Sequence, residues 1–166
     1  MEFKHKIVPC LWFDSEGEEA ARFYTGIFPD SRITNITRYT EAGREVHGQP
    51  AGKVLVVAFE LAGQSFTALN GGPHFKFNEA VSFQIMCDDQ KEVDYYWDRL
   101  SAGGDPAAQQ CSWLKDRFGL SWQVVPKVQI EMLADSDAVK AGRAMQAMMG
   151  MKKLDIATLQ KAFRGE

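Results

Sequence analysis

The side chains in this 166-residue chain that could do chemistry are three histidines, three cysteines and a scatter of hydroxyls and amides. His5, His47 and His74 fall at the N-terminus, in a Gly/Pro-rich stretch and in a linker. None lies on an alternating apolar run, so the sequence offers no paired imidazoles. Cys10, Cys87 and Cys111 are odd in number and lack metal-type spacing, which reads as free thiols in a reducing compartment. A thiol at Cys10, beside Trp12, would be a nucleophile only if a His or Lys lowered its pKa; no such neighbour is placed by the pattern, and a small buried hydrophobe is the simpler reading. Glu60 and Asp116 stand at equivalent places before tight turns, where turn hydrogen bonding explains them better than acid catalysis.

Composition narrows the class. Hydrophobic residues make up 45%, charged residues 25%, and the net charge is −3. That is an ordinary globular balance, with no cationic cluster for nucleic acid and no apolar run long enough for a membrane span. Met1–Lys6 lacks a signal-peptide core, so a cytoplasmic protein is expected.

The elements that would position these groups come in two copies. Ile7–Phe13 is an apolar run followed by Ala20, Phe23, Tyr24 and Ile27; Val81–Cys87 is followed by Val93, Tyr96, Trp97 and Leu100. Each set has the i, i+3, i+4, i+7 spacing of a helix stripe. Leu61–Leu69 then lines up with Arg117–Val125. The spacing predicts strands at Lys6–Phe13, Ser31–Tyr39, Val54–Leu61, Gln64–Asn70, Ala80–Cys87, Gln109–Lys115 and Leu120–Val125, with a shorter strand between Gly104 and Gln109. The first helix is expected to start at a Ser15–Glu18 capping box and stop at Pro29, and the second to run from Asp89 to Gly103-Gly104. Thr40–Lys53, with Gly43, Gly48, Pro50 and Gly52, reads as a mobile loop. Helices are expected at Val128–Ala134, Asp137–Met149 and Asp155–Phe163. The organisation is therefore a first module at 1–70, a linker at 71–79, a second module at 80–126 and a helical appendage at 127–166. Met145, Met148, Met149 and Met151 soften that appendage, which would pack on the sheets or on a partner subunit.

Strand alternation assigns faces. Ile7, Pro9, Leu11 and Phe13 match Val81, Phe83, Ile85 and Cys87 on the helix side; Phe66 and Ala68 match Trp122 and Val124. The opposite, more polar faces carry Cys10, Trp12, Thr67, Ser82, Gln84, Ser121 and Gln123. Hairpin pairing is expected to add Ser112 and Leu114 to that open face and to send Trp113 into the core. Asn70 and Phe75–Asn78 would form a rim, with Lys76 the nearby cation. Two copies place the expected site between them, lined by Cys10, Trp12, Thr67, Asn70, Ser82, Gln84, Ser112, Ser121 and Gln123: neutral hydrogen-bonding groups suited to a neutral polar or aromatic molecule.

A repeated β-α-β-β-β module with an acid-x-x-Gly hairpin resembles the vicinal oxygen chelate superfamily of glyoxalases, extradiol dioxygenases and bleomycin-resistance proteins. The segments Pro9–Ser31, Leu69–Gln84, Cys111–Pro126 and Met145–Ile156 resemble its PhnB-like branch, whose label is 3-demethylubiquinone-9 3-methyltransferase. The resemblance implies an α+β fold of two modules, each curling a sheet around a cleft, and commonly a homodimer. It also implies a divalent metal held from the first and fourth strands of each copy. Carried over residue by residue, those positions are Val8, Thr67, Ser82 and Gln123. Only Gln123 is a usual ligand, Val8 has no donor, and a one-residue shift brings in Pro9, Phe83 and Trp122 instead. The expectation is no metal and no cofactor.

Three functions stay open at this point. The first is a metal-free protein that binds a small neutral or aromatic molecule. The second is a metal-dependent glyoxalase- or dioxygenase-type enzyme. The third is the methyltransferase of the family label, although Gly71-Gly72 and Gly103-Gly104 open no helix that could cradle S-adenosylmethionine.

Overall fold

The computed structural model describes residues 5–166; the first four, read above as part of a lead-in without a signal-peptide core, lie outside them. The chain divides into two compact units, Met1–Lys76 and Phe77–Glu166. Each has a mixed sheet backed by a helix, so the fold is α+β as expected.

In the first unit, β1 (Cys10–Phe13), β2 (Arg32–Arg38), β3 (Val54–Leu61) and β4 (Gln64–Asn70) form a sheet in the order β1-β4-β3-β2, with β1 parallel to β4. The long apolar strands β3 and β4 occupy the residues their alternation predicts. They turn at Ala62 and Gly63, both at positive φ (46° and 82°), as a two-residue hairpin needs. β1 is shorter than its apolar run. Pro9 accepts from the Thr67 N–H through its carbonyl but has no donor to return, and Ile7 is 85% exposed.

α1 (Gly17–Thr25) packs Ala20, Ala21 and Tyr24 against Leu11, Phe13, Phe59, Phe66 and Ala68. Its start differs from the expected capping box. Ser15 makes no cap; instead the Asn70 amide oxygen, 53 residues away, accepts from the Gly17 N–H at 2.8 Å. A Cβ on Gly17 would lie 2.6 Å from that oxygen, so only glycine fits. The Thr40–Lys53 segment is not structureless. It holds α2 (Arg44–His47) between left-handed Gly43 and Gly48, with His47 4.6 Å from the Tyr39 ring.

In the second unit, β5 (Phe83–Cys87), β6 (Trp113–Lys115) and β7 (Ser121–Pro126) form a three-stranded sheet in the order β5-β7-β6, with β5 parallel to β7. The strand expected between Gly104 and Gln109 is a 3₁₀ turn at Pro106–Ala108, capped by the Asp105 carboxylate; a proline that lacks an N–H fits a turn better than a ladder. β5 likewise begins later than its run, after an Asn78 side chain turns the chain by accepting from Ala80 N–H. α3 (Gln90–Ser101) starts as predicted. Asp89 accepts from Glu92 N–H, and Glu92 reaches back to Asp88 N–H. The helix buries Val93, Trp97 and Leu100.

The hairpin that leads into β6 departs furthest from expectation. Gln110 and Trp113 bond each other across a two-residue turn whose residues, Cys111 and Ser112, both have positive φ (47° and 76°). The register that follows pairs Trp113 with Gln123 and Leu114 with Trp122. Trp113 therefore shares the open face with Gln123, and Leu114, 1% exposed, joins the core: the reverse of the expected assignment. One residue in register exchanges the faces.

The C-terminal helices α4 (Lys127–Leu133), α5 (Ala138–Met149) and α6 (Ile156–Arg164) follow their predicted spans closely. Asp137 and Asp155 cap the last two. They enclose a small core of Met132, Ala144, Leu154 and Leu159. The unit's sheet is tied to them through the 111–112 turn, whose two N–H groups donate to Met151 and Lys152 carbonyls at 2.8 and 2.9 Å. None of the described helices is long and apolar enough to cross a membrane.

Two predictions follow from this packing. Trp122 is 3% exposed and donates its indole N–H to the buried Asp116 carboxylate at 2.8 Å. Trp122→Ala is expected to cost about 3–5 kcal/mol in urea unfolding. Trp122→Phe should cost about 1–3 kcal/mol, because it keeps an aromatic ring but removes one hydrogen bond to the buried carboxylate; equal losses would show that the hydrogen bond adds nothing. Cys87 is fully buried, and burial, followed by the Glu92, Asp88 and Asp89 carboxylates, pushes its thiol up to about 12. Cys10 is exposed. In the native protein at pH 8, iodoacetamide should label Cys10 and leave Cys87 untouched until denaturant is added, as read by peptide mass spectrometry.

Candidate functional site

Each sheet turns one face to its helix and leaves the other open. In the first unit the parallel pairing sets Cys10 beside Thr67 and Trp12 beside Leu69 on the open face. Cys10 is exposed and Thr67 half-buried. Trp12 is engaged locally. Its indole N–H donates to the Gly72 carbonyl at 2.8 Å, and its ring meets Phe75 edge-on at 4.8 Å. A Cβ on Gly71 would fall 2.2 Å from the ring, so the indole lies flat on glycine backbone. Trp12 thus clamps the segment after β4.

Asn70 belongs to the other side. It pairs with Phe13 and is 7% exposed. Its amide accepts from Gly17 N–H and donates to the Val54 carbonyl, while its own carbonyl accepts from the Tyr39 hydroxyl at 2.7 Å. The expected rim residue is instead a scaffold bolt that joins β4, β3 and α1. Beside it lies a polar cavity of about 180 Å³ lined in part by Asp14, Tyr39 and Lys53, below the size common for small-molecule sites.

In the second unit, three of the expected residues come together. Gln84 Nε2 donates to Gln123 Oε1 at 3.3 Å, and Gln123 Nε2 donates to Ser82 Oγ at 2.8 Å. The two glutamines sit directly opposite on β5 and β7. Trp113, half-buried, stands across from Gln123 on its other flank. This is an uncharged ribbon with an indole at one end and, at the other, a Gln84 side-chain oxygen that has no partner among the described residues. Trp113 is the site residue that sequence reasoning missed. Its signal was hidden because Cys111 and Ser112 are not residues that announce a left-handed hairpin turn. Ser112 lies in that turn, 3% exposed, with its N–H given to Lys152 and its carbonyl accepting from Val124 N–H; it does not face Gln123. Ser121 is on β7 as expected but 1% exposed, and its hydroxyl has no hydrogen-bond partner among the described residues.

The two acids resolve differently. Asp116 accepts from Phe118 N–H (2.8 Å), Leu120 N–H (3.1 Å) and the Trp122 indole, which fixes the turn. Glu60 pairs with Arg32 of β2 at 3.2 Å. Neither is placed for proton transfer.

The metal positions that the sequence resemblance implies do not fit an ion. Val8 has no donor atom, Thr67 and Ser82 offer neutral hydroxyls, and Gln123 holds both ends of its amide in hydrogen bonds. Divalent ions need charged or imidazole ligands in number. Among the described residues no group of three His, Cys, Asp or Glu is close enough to share one.

The family model described as 3-demethylubiquinone-9 3-methyltransferase matches residues 5–125. A Bacillus cereus PhnB protein of the same description is 32% identical, covers 74% of this chain and 99% of its own, and superposes with a TM-score of 0.64. A Pseudomonas aeruginosa protein at 20% identity (TM-score 0.51, 74% of this chain and 98% of its own) is similar in fold. So is the Listeria monocytogenes fosfomycin resistance protein FosX at 15% (TM-score 0.50, 81% of this chain and 100% of its own). No curated protein matches. With most of the chain matched by the model, and by a relative of this identity, the chain belongs to the PhnB-like, 3-demethylubiquinone-9 3-methyltransferase family.

Proposed function

We propose that this protein binds a small, largely neutral, aromatic or quinone-like molecule on the open face of the second sheet, without a metal. The observation that carries this reading is the Ser82–Gln123–Gln84 chain beside Trp113. Amides and a hydroxyl fix the orientation of a carbonyl or hydroxyl group, and an indole supplies a flat apolar wall. Lys115, on the same face two residues from Trp113, is already paired with Glu79, which leaves it little to offer a polyanion. Cys10 and Thr67, on the open face of the first sheet, are proposed as ligand contacts of their own unit. Trp12 and Asn70 support their own unit from the positions described above, and Ser112 and Ser121 are buried in theirs.

The test is a melting screen of metal-stripped protein with a dimethoxy-methyl-benzoquinone, S-adenosylmethionine, and manganese, zinc or nickel ions. A molecule that binds only the folded state raises the melting point by mass action. The benzoquinone is expected to raise it by a few degrees, since a protein of this size moves about 2–4 °C per kcal/mol. Gln123→Ala should remove the rise while its own melting point stays within a few degrees of wild type. A rise with a metal ion alone would favour a metal-dependent enzyme, and one with S-adenosylmethionine alone would favour the methyltransferase of the family's description.

A further inference from the structure

The C-terminal helices lie beyond the segment that the family model matches. They nevertheless surround the larger of the two cavities described here, about 440 Å³, between α4 and α6. Its volume falls in the range usual for small-molecule sites. Val128, Met132 and Phe163 give it an apolar lining, Glu131 and Asp135 stand on the α4 side, and Gln160 and Arg164 complete it from α6. Val128, Glu131 and Met132 share one face of α4, and Asp135 follows just past its end.

The charge around this cavity is unbalanced. Glu131 has no hydrogen bond or ion pair among the described residues. Asp135 accepts only from Asp137 N–H, at 2.8 Å. The cations nearby are already held. Arg164 grips Glu166 with two contacts of 2.6 and 3.0 Å. Lys140, 5.9 Å from the centre of the Phe163 ring, is 3.9 Å from Asp137. Arg143 donates to the last carbonyls of α6 at 2.9 and 2.7 Å, and α4 has no basic residue in its last turn. Two carboxylates, with Arg164 already paired to Glu166, therefore line an apolar hollow with an aromatic wall. That combination favours a positive charge carried on a hydrophobic body.

We propose that the α4–α6 cavity is a second binding site, separate from the sheet face, for a small amphipathic organic cation: an amine or guanidinium on an aromatic or aliphatic frame. The ammonium would lie between Glu131 and Asp135, and the apolar body against Met132 and Phe163.

Titration calorimetry of the full chain with naphthylmethylamine, naphthalenemethanol and naphthylacetate separates charge from shape. Binding of the amine should be at least tenfold tighter than that of the alcohol, and the acetate should not bind. The double variant Glu131→Gln, Asp135→Asn should bring the amine to the alcohol's affinity at an unchanged melting temperature, and Gln123→Ala should leave amine binding as it was. The amine should shift the methyl resonance of Met132 in a spectrum of methyl-labelled methionines. Equal affinity for amine and alcohol, an unmoved Met132 methyl, or amine binding that responds to Gln123→Ala would overturn the inference. So would a concentration-dependent dimer abolished by the double variant, which would make this hollow a contact between copies.

Discussion

A single buried carboxylate holds the second unit's sheet together. Asp116 is 2% exposed and accepts from two backbone N–H groups and the Trp122 indole. Charge-assisted bonds of this kind are about twice as strong as neutral ones, and the low dielectric around them raises the stakes further. If the carboxylate moved, the turn would lose its shape, the β6–β7 register its reference, and the core its largest ring. Asn70 plays the corresponding part in the first unit, from a different strand position, by joining the start of α1 to β3 and β4. In both units a buried polar side chain satisfies backbone that the sheet and helix leave unpaired. The open face can then vary without endangering the scaffold.

The two copies have diverged at their edges. The first sheet is closed off by β2, while the second stops at the three-residue β6. An exposed edge is an invitation to pair with another chain. Here the edge is blunted twice: the chain enters β6 through a left-handed turn, and that turn gives its two N–H groups to the α5–α6 connection. Non-glycine residues at positive φ are costly, so the turn persists because the C-terminal carbonyls and the Gln110–Trp113 bonds fix it from both sides. The appendage is therefore part of how the second unit ends its sheet.

Much of this was legible in the chain. Val54–Leu61, Gln64–Asn70 and the aspartate-capped helices were readable because period, turn chemistry and caps agree locally. Alternation also sorted β1, β4 and β5 correctly: Leu11, Phe13, Ala68, Ile85 and Cys87 are buried, while Cys10, Gln84 and Met86 are not. It even held the answer for Asn70, which is in phase with Phe66 and Ala68. What was not legible was long-range or unsignalled. The cap of α1 comes from the far end of β4, and the turn at Cys111-Ser112 contains neither Gly nor Asn. That unmarked turn shifted β6 by one residue, hid Trp113 from the site and wrongly placed Ser112 in it.

The chemistry of the open face then follows from what its neighbours demand. A metal centre needs charged ligands whose burial is repaid by the ion; at the corresponding positions this chain has an alkyl group, two hydroxyls and an amide whose two ends are bonded within the protein. Of these, Ser82 and Gln123 are satisfied by each other and by Gln84 through protein hydrogen bonds alone. A chain of neutral dipoles has a direction: from Gln84 through Gln123 to Ser82, each amide donates onward, which leaves the Gln84 carbonyl as acceptor at one end and the Ser82 hydroxyl proton as donor at the other. In the proposed binding mode a ligand offers a donor to the first or an acceptor to the second, and a carbonyl or hydroxyl on a flat ring would meet that requirement with its face on Trp113. Selectivity on such a face comes from leaving those ends unpaired when the wrong molecule enters, and it requires no charge on either partner.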